Sequence, residues 1–268
     1  MSWRVLAMRA AWAKEASTAG YSLFDILMIS DSNRDESSLT VLVSGNIWWG
    51  MARAACGGHD FGVDDTTYRD TRLALHAAGE LLIAGPQFRR FGTIRMRVVL
   101  GGFGGAQWPV SVVGADLVWP EGRAPLAGTY DKVAASAGFE AEAPDGVYAD
   151  TTGTDPGDAI RVDPEAATLI ADWFALGDAA LRCSAPDVIP VLWPEHFDLS
   201  STLHEVNYGV SPGDTAHPGP YAYVGPWKPR TGDFWNAPFG ALRPREEVDT
   251  VASLLDFFEE GKARAAAD

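Results

Sequence analysis

Three stretches of the chain, near residues 66–84, 163–183 and 246–264, carry apolar residues at helical spacing, and blocks of short β runs fill the intervals. That order constrains the fold more than any other feature. It predicts an α+β protein in which antiparallel sheets or hairpins are covered by about three helices. In the first helix Leu73, Leu75, His76, Gly79, Leu82 and Ile83 follow the spacing, and Gly85-Pro86 reads as its end. Asp163-Pro164-Glu165 opens the second with an N-cap acceptor, a proline at the first helical position and an acid in the first turn. Leu169, Trp173, Leu176 and Leu181 then lie near one stripe. In the third, Val248, Val251, Leu254, Leu255 and Phe258 make a C-terminal amphipathic helix whose apolar stripe caps the core. A shorter helix is expected in PLAGTYDKVAASAG, ended by Gly138.

Residues 21–30 and 39–44 read as two strands of a hairpin, whereas NIWWGMARAACGGHD fits a short helix or a strand and loop equally. TIRMRVVLGGFGG and VSVVGADLVW are two β runs, the second with its own Gly-Ala turn. After Pro186 the chain is strand-like up to Pro244. The 268 residues are expected to form one compact unit, and the Asp/Gly/Pro/Thr-rich segment 140–160 is the place for an internal boundary between 1–140 and 160–268. No repeat with a period of 20–50 residues occurs.

A net charge of −15, from 36 acidic and 21 basic residues, repels phosphate backbones and anionic lipid, so neither nucleic acid nor a membrane is an expected partner. No window approaches the length of an apolar span, and Arg4, Arg9 and Lys14 interrupt the apolar residues of the first segment. Cys56 and Cys183 stand alone, with neither a disulfide framework nor a zinc knuckle, which fits a cytoplasmic protein. Ten tryptophans point to a generous core or an aromatic-lined pocket. LGGFGGA does not continue as a nucleotide-binding loop: Gln107 stands where GxGxxG needs glycine, and a strand pattern follows, so a glycine-permitted turn is expected. No nucleotide-cofactor motif is present. His76 reads as a packed core histidine and His59 as a solvated loop residue.

Chemistry concentrates in WPEHFDLSSTLHEVNYGVSPGD, residues 193–214. If 191–199 is one strand, alternation puts His196 and Asp198 on one face and Val191, Trp193, Phe197 and Leu199 on the other. A two-residue turn at Ser200-Ser201 would then set His196 across from Glu205, Pro194 from Asn207 and Asp198 from Leu203. His196, Asp198, Glu205 and Asn207 would share a face, with the donors for a divalent cation or for a histidine base held by a carboxylate. A three-residue turn with a bulge would bring His204 there in place of Glu205. SPGD is a β-turn that leaves Asp214 free near the strand ends, three residues before His217. These residues make His196, Asp198, Asn207 and Asp214 candidates for catalysis, and His196, Asp198 and Glu205 candidates for a metal.

Downstream, PYAYVGPWKPRTGDFWNAPFG crowds six aromatic residues among prolines, a composition suited to ordered loops that wall a pocket. Tyr221, Trp227 and Trp235 are the expected contacts to a small molecule. The segments LALHAAGELL, RVVLGGFGG, WPEHFDL, NYGVSPGD and PGPYAYVGPW together resemble an uncharacterised bacterial family with no established activity. Its members carry a helical Leu-His pair, a β run ending in GGFG, and the motifs W-P-x-H-F-D-L, N-[FY]-G-x-S-x-G-D and P-E-P-Y-x-Y-V. The resemblance spans residues 70–105 and 165–242 and implies that His196, Asp198, Asn207, Asp214 and Tyr221 are recurrent polar positions. Gly219 departs from it, standing where that family has glutamate. The expected function is that of a small-molecule enzyme or ligand-binding protein, and the alternative is an interaction protein in which the motif only builds a polar hairpin.

Overall fold

The computed structural model describes residues 63–149 and 151–267, together with the backbone of strands β1 (Ile26–Leu27) and β2 (Leu42–Val43). β1 and β2 pair antiparallel, inside the two segments expected to form a hairpin. The segment 46–60 lies outside the described residues. The chain divides into two compact units, Met1–Gly58 and His59–Asp268, and residues 140–160 fall within the second.

The second unit is α+β: a ten-stranded antiparallel sheet with helices packed on it, the C-terminal helix included. Five strands, β3 (Met96–Val99), β4 (Gly102–Gly105), β5 (Ser111–Val113), β6 (Asp116–Trp119) and β7 (Gly122–Pro125), form one meander. A short pair, β8 (Gly128–Thr129) with β9 (Ala159–Ile160), lies apart from the main sheet. A second meander comprises β10 (Val191–Trp193), β11 (Asp198–Leu203), β12 (Val206–Ser211), β13 (Tyr221–Pro226) and β14 (Ala241–Pro244). Their first strands, β3 and β10, pair at the sheet centre through Leu192 and Met96, so the two meanders run outward in opposite directions. TIRMRVVLGGFGG is thus a hairpin: only Leu100 and Gly101 turn, Gly101 at φ 74°, and the later glycines lie in β4.

The first helical run differs from its expected 66–84 span. It continues from α1 (Asp65–Ala78) through a π-helical segment, Gly79–Ala84, into α2 (Gly85–Phe91), and ends at Gly92 with φ 71°. Wider π turns let the chain pass Pro86. The Gly85 N–H donates to Glu80, and the Leu81 carbonyl, whose next acceptor position faces a residue without an N–H, accepts instead from Glu142 at 3.0 Å. Gly85 is glycine because a β-carbon there would stand 1.7 Å from the Glu142 carbonyl oxygen. Gly85-Pro86 therefore docks the 140s segment and does not stop the helix.

The remaining helices are α3 (Tyr130–Ser136), α4 (Pro164–Ser184) and α5 (Val251–Ala267). Asp163 caps α4 as expected, accepting from Glu165 and Ala166 at 3.0 and 2.9 Å. Thr250 and Ser253 exchange backbone-to-hydroxyl bonds of 3.1 Å ahead of α5, which moves its start downstream of the expected 246. Leu254 and Phe258 of α5 are buried as the stripe implied, Val251 packs against the core, and Phe257 adds a ring that the stripe omitted. Helices α4 and α5 cover the sheet face that carries Leu199, Val210 and Val224: a β-carbon on Gly177 would meet Val210, and one on Gly261 would meet Val224. Trp173, Phe174 and Phe103 fill the layer between. No helix among the described residues is long and apolar enough to cross a membrane.

Candidate functional site

The 191–199 segment is not one strand, and the expected register is corrected accordingly. Pro194 cannot donate to a ladder, so β10 stops at Trp193, residues 194–197 turn, and β11 starts at Asp198 opposite Trp193. Trp193 and Asp198 thus share a face. The next turn is His204-Glu205, not Ser200-Ser201; both residues have positive φ, 51° and 62°, the type I′ pattern that matches strand twist. Asn207 pairs with Thr202, and Glu205 sits at the hairpin tip, where its carboxylate lies 3.7 Å from the exposed Lys228.

On the sheet face turned away from α4 and α5, alternation lines up Asp198 and Ser200 of β11, Gly209 and Ser211 of β12, and Tyr221 and Tyr223 of β13. Gly209 is essential to this arrangement. A β-carbon there would stand 2.6 Å from Tyr223 Cζ, so its absence lets the phenol cross β12 and donate to Asp198 Oδ2. The other carboxylate oxygen, Oδ1, is buried and has no hydrogen-bond partner among the described residues. Burial raises the Asp198 carboxyl above the ordinary range, overriding the Tyr223 hydrogen bond and the nearby His196, which act the other way. Tyr223 is pushed well above the usual phenol value by burial and by the Asp198 charge.

Helix α1 closes the end of the sheet at which these strands turn. Tyr68 donates to the Pro212 carbonyl at 2.9 Å, and His76 Nε2 lies 2.6 Å from the Pro194 carbonyl. Because a carbonyl only accepts, Nε2 carries the proton and Nδ1 is left as an acceptor. Burial lowers the His76 pKa and keeps the ring neutral. His76 stacks on Phe197 with centroids 5.2 Å apart, and Phe197, at φ 50°, drives its ring between Phe103 and Phe174. The 194–197 turn is thereby pinned to the core.

Between this helix and the sheet face lies a cavity of about 640 Å³. Asp198, Asn207, Tyr221, Tyr223 and Phe239 line it together with Arg72 and His76. The rings of Tyr221, Tyr223 and Phe239 stand 6.2–6.4 Å apart and make one wall. Trp227, 64 % exposed, stands at the mouth, its indole N–H 3.3 Å from Asn207 Oδ1.

The structure brings together His196, Asp198, Asn207, Asp214, Tyr221 and Trp227 around this cavity, and leaves Glu205 and Trp235 out. Trp235 packs edge-on against Phe234 at 4.8 Å. His196 is on the rim, exposed, with Glu195 at 3.7 Å. Asp214 is not free: Oδ1 accepts from Ala216 and His217 at 2.7 Å, and Oδ2 from the Tyr221 hydroxyl at 2.6 Å. Burial opposes its charge, but these hydrogen bonds together hold its carboxyl below the ordinary value. Among the described residues no group of three or more His, Cys, Asp or Glu side chains is placed to hold a metal ion. Arg72 and Tyr223 were missed from sequence. Tyr68, Arg72 and His76 recur every fourth residue on α1, and Arg72 and His76 line the cavity, so that row marks the side of the helix facing it. Compared with protein-family models, curated proteins and solved structures, the chain matches none.

Proposed function

We propose that the cavity binds a small organic molecule through a hydrogen-bond-donating or cationic group seated on Asp198. One observation carries the reading: Asp198 lines the cavity, and its Oδ1 is buried without a hydrogen-bond partner among the described residues. Leaving a buried acceptor unpaired costs about 1–3 kcal/mol, and a ligand N–H would satisfy it. The aromatic wall supplies the apolar surface that pockets of this size use for affinity, while Asn207 and His196 orient the polar end. An amine is favoured over a neutral donor, because a positive charge beside Asp198 offsets the cost of ionising the carboxyl and lies against aromatic faces. The separated cysteines and acidic charge accord with a cytoplasmic setting.

The alternative, a motif that only builds a polar hairpin, accounts for Asp214, whose oxygens are all engaged, but not for Asp198. Ligand-detected NMR with a fragment set of primary amines and amides tests the choice. Binders should quench Trp227 fluorescence and lose at least tenfold in affinity on Asp198→Asn. Equal binding to the wild-type and Asp198→Asn proteins would reject the reading.

A further inference from the structure

A second buried polar group faces the same cavity. Arg72 projects from α1, is only 7 % exposed, and its Nε is buried without a hydrogen-bond partner among the described residues. No ion pair compensates it among those residues. The acidic groups that act on it electrostatically are Tyr68, Asp214 and Tyr221, and both Asp214 oxygens already accept hydrogen bonds from Ala216, His217 and Tyr221. A guanidinium presents its donors in a fixed planar fork, which suits an incoming carboxylate, and burying its Nε unpaired is costly while the terminal nitrogens stay open to a ligand. Stability alone gives no reason for such a group on a cavity wall. Arg72 and Asp198 are, moreover, complementary: one offers donors with a full charge, the other an acceptor. Tyr221 is within electrostatic reach of both and is held in place by its bond to Asp214.

We infer that the cavity is bipolar and takes an amino carboxylate, its carboxylate on Arg72 and its ammonium on Asp198, with the aliphatic link along the Tyr221 and Phe239 rings. This rests on the Asp198 reading above and adds the anionic end. A lone amine would fill one pole and leave the Arg72 fork empty; a lone carboxylate would do the reverse. Two opposite charges brought in together also leave the net charge of the pocket unchanged.

Isothermal titration of the full chain with the ω-amino carboxylates from glycine to 6-aminohexanoate tests the inference, beside the alkylamines and alkyl carboxylates of the same lengths. One or two chain lengths should bind at least tenfold more tightly than the matching amine, and that length measures the separation of the poles. Arg72→Gln should bring the preferred amino carboxylate down to the affinity of its amine, while the amine binds no more weakly than to the wild type because only a like charge has left the cavity; that retained binding also shows the variant to be folded. Should Arg72→Gln fail to fold, Arg72→Lys keeps the charge without the fork and should cut the advantage to about a third. If amines bind but no amino carboxylate binds better, or if the substituted protein keeps the advantage, the anionic subsite is wrong and the Asp198 reading stands. Failure of the whole series to bind the wild-type protein would overturn both.

Discussion

The two meanders of the main sheet follow the same plan, five antiparallel strands running outward from the centre after a helix, yet only the second contributes to the cavity. Their glycines explain the difference. In β4, glycines bring neighbouring chains close: a β-carbon on Gly102 would stand 1.9 Å from the Val112 carbonyl oxygen, and one on Gly105 would stand 2.7 Å from that of Trp108. At these two positions backbone uses the space, at Gly104 the Ser111 side chain does, and all four β4 residues are buried. In β12, Gly209 instead admits the Tyr223 ring across the strand to Asp198. Omitting a β-carbon closes a sheet in one half and opens a path for a polar side chain in the other. A site arises where the vacated space is taken by a functional group.

The largest effect is expected from the residue that joins the two halves. Phe197 touches Phe103 of the first meander, Phe174 of α4 and His76 of α1 at centroid distances of 5.2–5.3 Å. Phe197→Ala should cost about 3–5 kcal/mol in urea unfolding and release the 194–197 turn. A loss below about 1 kcal/mol would mean that the halves are not coupled through this ring. Next comes a matched pair of glycine substitutions. Gly102→Ala forces a β-carbon into backbone and should cost about 1–3 kcal/mol. Gly225→Ala, on the cavity wall with its nearest neighbour at 3.5 Å, should stay within about 0.5 kcal/mol. Equal costs at the two positions would mean that the close backbone approach at Gly102 is not what sets the first meander apart.

Legibility in the sequence followed the range of the interactions involved. The α4 cap could be read because Asp163, Pro164 and Glu165 act within one turn, and the α5 stripe because helical spacing is local. Gly85-Pro86 was misleading because its meaning depends on Glu142, far along the chain. The turn at 194–197 was hidden by alternation that runs through it: Trp193, Phe197 and Leu199 look like one apolar face, but Phe197 reaches the core by positive φ from outside a strand. For the site, Asp198, Asn207 and Tyr221 were identified from polar residue types in a β context, without the correct register. Arg72 escaped because no local pattern shows that a helix 126 residues upstream of Asp198 closes the same cavity.

A smaller effect is expected from Asp198→Asn. Asparagine keeps the acceptor for Tyr223 without a buried charge. Because burial raises the folded-state carboxyl above its ordinary value, the native protein holds the proton more tightly than the unfolded chain. Stability from this residue is therefore present at acid pH and is lost as pH rises from the ordinary carboxylate value through the raised one. The amide does not titrate and has no such loss, so the stability of the variant relative to the wild type should rise with pH across that interval, from an offset set by the amide N–H groups left in place of the unpaired Oδ1. Chemical unfolding at several pH values measures this. A stability difference that does not rise with pH would mark Asp198 as a structural carboxylate and remove the distinction between the polar half and the packed half.

The smallest effect concerns the turns. In the first meander the positive-φ turn positions are glycines, Gly101 at 74° and Gly114 at 57°, whereas β11 and β12 are joined by His204 and Glu205 at 51° and 62°. A left-handed conformation costs a residue with a β-carbon roughly 1 kcal/mol relative to glycine. Two such residues in one turn raise the question of whether their side chains serve the site. Neither lines the cavity, and the Glu205 carboxylate pairs with Lys228, both partners exposed and the ion pair worth little. Glu205→Gly should then stabilise the protein by about 0.5–1 kcal/mol, as a strain-relieving change, and leave amine binding unaltered. Loss of binding in a more stable variant would show that the hairpin tip reaches the ligand after all, and would return Glu205 to the site from which the register excludes it.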